Sequence, residues 1–105
     1  MPTNKFLGRL IDVDGEGFLT LPDQWDEDLA VVLAKNAGID ELSDEHWRAI
    51  RFVREDARKR GQSPTLRRMQ QAGNFDIKQL FALFPGKPAK KLAYIAGHPK
   101  PTACV

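Results

Sequence analysis

The last ten residues, "AGHPKPTACV", hold most of the chain's reactive chemistry: one cysteine, Cys104, next to last, behind Pro99 and Pro101 and near His98 and Lys100. A thiol acts as a nucleophile only as its thiolate, and a free cysteine titrates near ~8.5. The carboxylate of Val105 opposes ionisation, whereas Lys100 and His98 favour it. The neighbours therefore give no strong activation, and a partner's pocket would have to supply it. One thiol cannot close a disulfide within the chain. Carried on a semi-rigid arm, it can enter another protein's pocket. His98 could serve as an auxiliary proton donor or acceptor there, with Lys100 as an auxiliary cation, although a lone exposed histidine is more often idle. The bland alternative is a cysteine on a frayed end with no task.

Each proline lacks an N–H and pushes the residue before it toward extended geometry. Residues 98–105 thus read as a non-helical arm able to carry Cys104 on the order of 20 Å from the preceding helix. Residues 1–97 must form the body that presents it. "KFLGRLIDVDGEGFLTL" has short β-rich runs around "DGEG", a hairpin turn in which glycine supplies positive φ. Asp23 can cap a helix with Trp25, Leu29, Val32 and Leu33 on one face, ending at Gly38. Ser43 caps a second helix that lines Trp47, Ile50, Val53 and Ala57 inward and ends at Gly61, with Leu42 and Trp47 as a hydrophobic staple. Ser63 caps a third, with Pro64 at its first position and Gly73 as its stop. Asp76 with Gln79 has the form of a capping box for a fourth, stapled by Phe75 and Leu80 and stopped by Pro85. Pro88 opens a fifth through Leu92 and Ile95, ended by Gly97. The expected fold class is α+β, mostly α: a compact bundle of about five helices with a small N-terminal β-hairpin and a flexible C-terminal arm.

Composition sets the outer limits. The 105 residues are 42% hydrophobic and 29% charged, enough for one domain with a core, and no apolar run approaches the ~20 residues of a membrane span. The opening "MPTNKFLGRL" has no apolar signal-peptide core, so a cytoplasmic protein with its thiol reduced is expected. The net charge of +2 hides a division: residues 1–47 carry three Lys or Arg against eleven Asp or Glu, and residues 48–105 carry thirteen against three. Arg51, Arg54 and Arg58 share a helix face, with Arg48, Lys59, Arg60, Arg67 and Arg68 nearby. Together with Pro99 and Pro101 they are candidate partner-binding residues, although a solvated face explains them equally well. Two histidines and one cysteine offer no zinc-site spacing, and no phosphate loop, dinucleotide fingerprint or Ser–His–Asp arrangement occurs, so no metal and no cofactor is expected.

"EHWRAIRFVRE", "LFALFPGKPAKK" and above all "AGHPKPTACV" resemble the DsrC/TusE family over nearly the whole chain. The resemblance implies a helical bundle with an N-terminal hairpin and a mobile arm, and it makes Cys104 the sulfur-bearing residue. True DsrC proteins have a second cysteine eleven positions earlier, which here is Ala93. The chain thus resembles the single-cysteine branch. It departs from the usual pattern with His98, where an apolar residue is common, and with Ala103, where glycine is usual.

The function this implies is a cytoplasmic sulfur carrier, a sulfurtransferase-type persulfide relay without catalytic machinery of its own. A donor complex of the TusBCD or DsrEFH kind would load Cys104, and an acceptor protein would take the sulfur. A tRNA thiouridylase as acceptor places the chain in tRNA 2-thiouridine synthesis; a sulfur-oxidation enzyme places it in dissimilatory sulfur metabolism. A monomer forming transient complexes, without membrane contact, is expected, and direct nucleic-acid contact stays open. A competing class is a nucleic-acid-binding regulator, because the third and fourth helices have helix-turn-helix spacing. Against it, "DIKQLFALF" offers only Lys78 and Gln79 to read bases.

Overall fold

The chain begins with a turn that sequence propensity hides. In the computed structural model, which describes residues 2–101, β1 (Thr3–Phe6) pairs antiparallel with β2 (Arg9–Asp12), in register from Thr3 opposite Asp12 to Phe6 opposite Arg9. The link is Leu7–Gly8, and both residues have positive φ, 53° and 74°. The hairpin thus lies upstream of the "DGEG" turn expected from sequence. That second turn does form: the Asp14 carboxylate accepts the Glu16 and Phe18 amides at 2.9 and 3.0 Å. It carries only a single bridge, Val13 to Leu19, and no second strand pair.

A 3-10 turn at Pro22–Gln24 leads into α1 (Glu27–Asn36). Asp26, rather than the expected Asp23, caps α1 by accepting the Leu29 amide at 2.8 Å, because Asp23 is taken into the preceding turn. Helix α2 (Asp44–Arg60) starts at Ser43 with a reciprocal box, in which the Ser43 hydroxyl accepts the His46 amide and His46 accepts the Ser43 amide. Gly61 ends it with φ 75°. Helix α3 (Leu66–Gly73) is capped by Thr65 rather than Ser63, and the left-handed residue that ends it is Asn74 rather than Gly73. Asp76 caps α4 (Ile77–Leu83), but Gln79 donates to Glu45 at 3.3 Å instead of completing a box. Pro88 opens α5 (Pro88–Ile95).

Helix α5 is the central post, with Leu92, Ala93, Ile95 and Ala96 all fully buried. Around it Ile50, Val53, Met69, Leu80 and Phe84 form the main core. A smaller cluster of Ile11, Val13, Leu19, Leu29 and Leu33 lies beneath the hairpin, and Trp25 and Tyr94 pack against both. Trp25 and Tyr94 therefore join the hairpin and α1 to the rest of the bundle.

Leu7 is half exposed and gains little there, yet it occupies a conformation that costs a branched L-residue about 1 kcal/mol. Leu7→Asn, which gives the Asn-Gly pair this turn favours, should raise unfolding stability by about 1 kcal/mol. A higher urea midpoint at unchanged slope is the expected reading.

Candidate functional site

The residues that launch the C-terminal arm are held by four groups from four segments. At the end of α5 the chain turns through Gly97, φ 73°, and the His98 amide donates back to the Ala93 carbonyl at 3.0 Å. This left-handed cap folds the chain onto the body instead of letting it run on past the helix. Only glycine fits, since a Cβ on Gly97 would sit 2.6 Å from Cδ1 of Trp25. The Trp25 indole closes the turn from outside and donates through Nε1 to the Ile95 carbonyl at 2.8 Å.

Arg54 supplies the second support. Its Nη1 donates to the Ala96 carbonyl at 2.7 Å, its Nη2 reaches the Pro22 carbonyl at 3.5 Å, and its guanidinium lies 4.0 Å from the Trp25 ring centroid. One arginine of α2 thus ties together the 3-10 turn, the tryptophan and the last carbonyls of α5, where a cation also suits the helix dipole. Ser63 is the third support. It is buried, and its hydroxyl donates to the Pro99 carbonyl at 2.6 Å. The fourth is Glu16, whose carboxylate meets Lys100 Nζ at 3.2 Å across the "DGEG" turn.

These contacts revise the expectation of an arm free from residue 98. His98, expected on the surface, is buried, and so is Pro101; Pro99 and Lys100 are exposed. Pro101 is thus turned away from any partner, while Pro99 lines a groove of about 730 Å³ with Trp25, Leu21, Arg51 and Arg58. Cys104, with the other residues after 101, lies outside the described residues. Three peptide links separate it from Pro101, a span that covalent geometry limits to about 11 Å.

Burial lowers the His98 pKa to about 4, and the positive charge of Arg54 adds to the effect. At neutral pH the ring is uncharged, and it fills a site that an apolar side chain could fill. His46 completes the Ser43 cap and places Nε2 3.0 Å from the Leu83 carbonyl, joining α2 to α4.

Most of the arginine face is paired with carboxylates of the chain itself, largely at the surface. Arg51 pairs with Glu27 at 3.9 Å and Arg58 with Glu55 at 2.9 Å, while Arg48 pairs with Glu45 and lies over Phe75. Arg60 and Arg68 both hold the buried Asp56 carboxylate, at 3.5 and 2.9 Å. Arg51 and Arg58 do line the groove beside the arm, but Asp23, Glu27 and Glu55 line it with them, so the groove is mixed rather than basic. The candidate recognition helix α4 has seven residues, and its Gln79 is tied to Glu45. No described helix is long and apolar enough to cross a membrane.

Sequence reasoning missed Ser63 and Trp25 as supports of the arm. For Trp25 the sequence offered only Gly97, which marks a left-handed turn without saying what closes it. For Ser63 it offered no signal, since its task depends on a contact across 36 residues.

Comparison with known proteins places the same chain length and shape elsewhere. A sequence profile described as "DsrC like protein" matches residues 5–105. The chain is 43% identical over 109 residues to sulfurtransferase TusE of Escherichia coli (strain K12), covering 95% of this chain and 97% of that one. Its fold superposes on dissimilatory sulfite reductase I (DsrI) with a TM-score of 0.84 at 31% identity, covering 99% and 100% of the two chains. On DsrC of Allochromatium vinosum the TM-score is 0.80 at 35% identity, covering 98% and 97%.

Because His98 binds its proton more weakly folded than unfolded, the unfolded state takes up more protons between about pH 6.5 and pH 4. Stability should therefore fall as pH drops through that window, by roughly 2 to 3 kcal/mol at its lower end. His98→Leu should keep the fold and remove this part of the slope, read from urea unfolding at pH 7, 5.5 and 4.5.

Proposed function

The chain belongs to the DsrC-like protein family, and on that premise we propose that it is a sulfur carrier that takes persulfide sulfur on Cys104 and relays it to an acceptor protein in tRNA 2-thiouridine synthesis. The observation that carries this reading is the seat of the arm. Trp25, Arg54 and Ser63 hold residues 95–99 by their carbonyls, and this construction serves the residues that follow rather than the core. A likeness over nearly full length to sulfurtransferases named TusE selects the branch.

The transfer needs no cofactor. The Cys104 thiolate attacks the outer sulfur of a donor Cys–S–SH, the donor's S–S bond breaks, the donor leaves as a thiolate, and Cys104–S–SH forms with no net oxidation. Repeating the exchange with an acceptor thiolate discharges it. Position 93, where a second cysteine would support a two-thiol redox cycle, is Ala93, fully buried in α5. A one-thiol carrier remains, which favours relay over service as a redox-cycling substrate in dissimilatory sulfur metabolism.

The roles of the flanking residues follow from their places. His98, neutral and buried, acts as a packing residue of the seat rather than as a proton donor. Lys100 orients the arm through Glu16. Arg54 positions the arm from within, whereas Arg51, Arg58 and Pro99 border the groove where a donor or acceptor would meet it. A TusBCD-type donor and a tRNA thiouridylase acceptor are the partners this assigns.

Purified chain mixed with a persulfide donor should gain one sulfur atom by intact mass, lost again on thiol reduction, and Cys104→Ala should gain none while keeping its fold. A wild-type chain that stays unloaded by a donor competent on a known relay protein would contradict the proposal.

A further inference from the structure

Among the described residues several cations have no carboxylate partner, and Lys5, Lys35, Arg67 and Lys78 stand singly. The arginines of α2 and α3 mostly have carboxylates. Among the described residues, Lys87, Lys90 and Lys91 have neither an acidic partner nor a side-chain hydrogen bond. All three gather at the start of α5, where Gly86, φ 92°, turns the chain into Pro88. No side chain caps that end and no acid occupies its first turn, so the positive end of the helix dipole adds to the lysines.

Beside them is a groove of about 390 Å³ lined by Phe18, Pro85 and Tyr94 as well as the three lysines. Glu16 also lines it, and Glu16 is the partner of Lys100 in the arm. The lysine surface and the root of the arm therefore meet at one ion pair. The large apolar side chain of the groove is turned inward, Phe18 being buried against Tyr94 with their rings edge to face at 5.7 Å, and Pro85 is the exposed apolar residue at its edge. A protein interface would want an accessible apolar anchor, whereas a phosphate backbone needs only point charges of this kind.

We propose that Lys87, Lys90 and Lys91 hold the phosphate backbone of the tRNA beside the arm while Cys104 discharges its sulfur, an inference that rests on the tRNA branch of the relay reading. The lysines contact phosphates without reading bases, so the surface adds affinity and orientation and leaves the choice of tRNA to the acceptor.

The test is fluorescence anisotropy of a labelled tRNA transcript with an unmodified wobble uridine, titrated with the full chain at a series of salt concentrations. Each phosphate contact contributes ~0.7–0.9 to the slope of log affinity against log salt. The variant Lys87→Gln/Lys90→Gln/Lys91→Gln should lose about two to three units of slope and at least about tenfold in affinity at low salt. The variant Lys5→Gln on β1, an exposed lysine that does not line this groove, should change the slope by less than about 0.5. Should the triple variant lose its helical signal, the three single variants decide, each expected to lower the slope by ~0.7–0.9. An unchanged slope overturns the proposal, as does a wild-type chain that does not bind the transcript at low salt. So does a triple variant that binds the acceptor protein more weakly while its tRNA binding is unaffected. Sulfur loading of Cys104, measured in parallel from a small-molecule persulfide, separates the two readings: lysine-dependent tRNA binding without loading keeps the surface and removes the carrier.

Discussion

The approach of Trp25 to Gly97 fixes the rest of the site. A left-handed turn at the end of α5 requires a residue without a Cβ, and the indole occupies the space where that Cβ would stand. Because the turn is closed from outside, the chain after α5 cannot run on along the helix axis and is folded back toward α2 and Ser63. Arg54, Ser63 and Glu16 then find carbonyls and a lysine within reach. Remove the close approach and each of those contacts loses its partner.

The placement of charge follows from the same construction. Arg54 is half-buried against Trp25, Pro22 and the end of α5, and burial pulls its pKa down while Asp23 opposes the shift; it stays charged regardless. Its charge in turn helps to keep His98 neutral. A cation committed to backbone carbonyls is unavailable to a partner, and Arg60 and Arg68 are likewise held by the buried Asp56 carboxylate, whereas Arg51 and Arg58 make exposed pairs beside the groove. Among the described residues of the basic half, unpaired charge gathers at the start of α5, with Arg67 and Lys78 standing singly elsewhere.

Much of this was legible in the sequence. Five helices, the Ser43 and Asp76 caps, and the glycine stops at Gly38, Gly61 and Gly97 follow from residue types whose local physics is strong. The errors share a cause. Local signals assign Asp23, Ser63 and Gly73 the nearest local role, but Asp23 lies inside a 3-10 turn, Ser63 serves the arm, and Asn74 takes the left-handed position. The hairpin was missed at Leu7 because a leucine at positive φ runs against propensity, and only tertiary packing of Ile11 beneath the hairpin makes it worthwhile. The seating of the arm was not legible, since every side-chain contact holding it crosses 36 residues or more.

The central claim is that the arm's root is part of the folded body and that a carrier residue three links farther on is launched from a fixed point. Backbone 15N relaxation tests it most directly, because His98 and Lys100 retain their amide protons between the prolines. The account predicts order parameters of about 0.85 at both, equal to those of α5. Values below about 0.6 beginning at His98 would contradict it, placing the whole arm in solution and leaving Trp25, Arg54 and Ser63 without the role assigned to them.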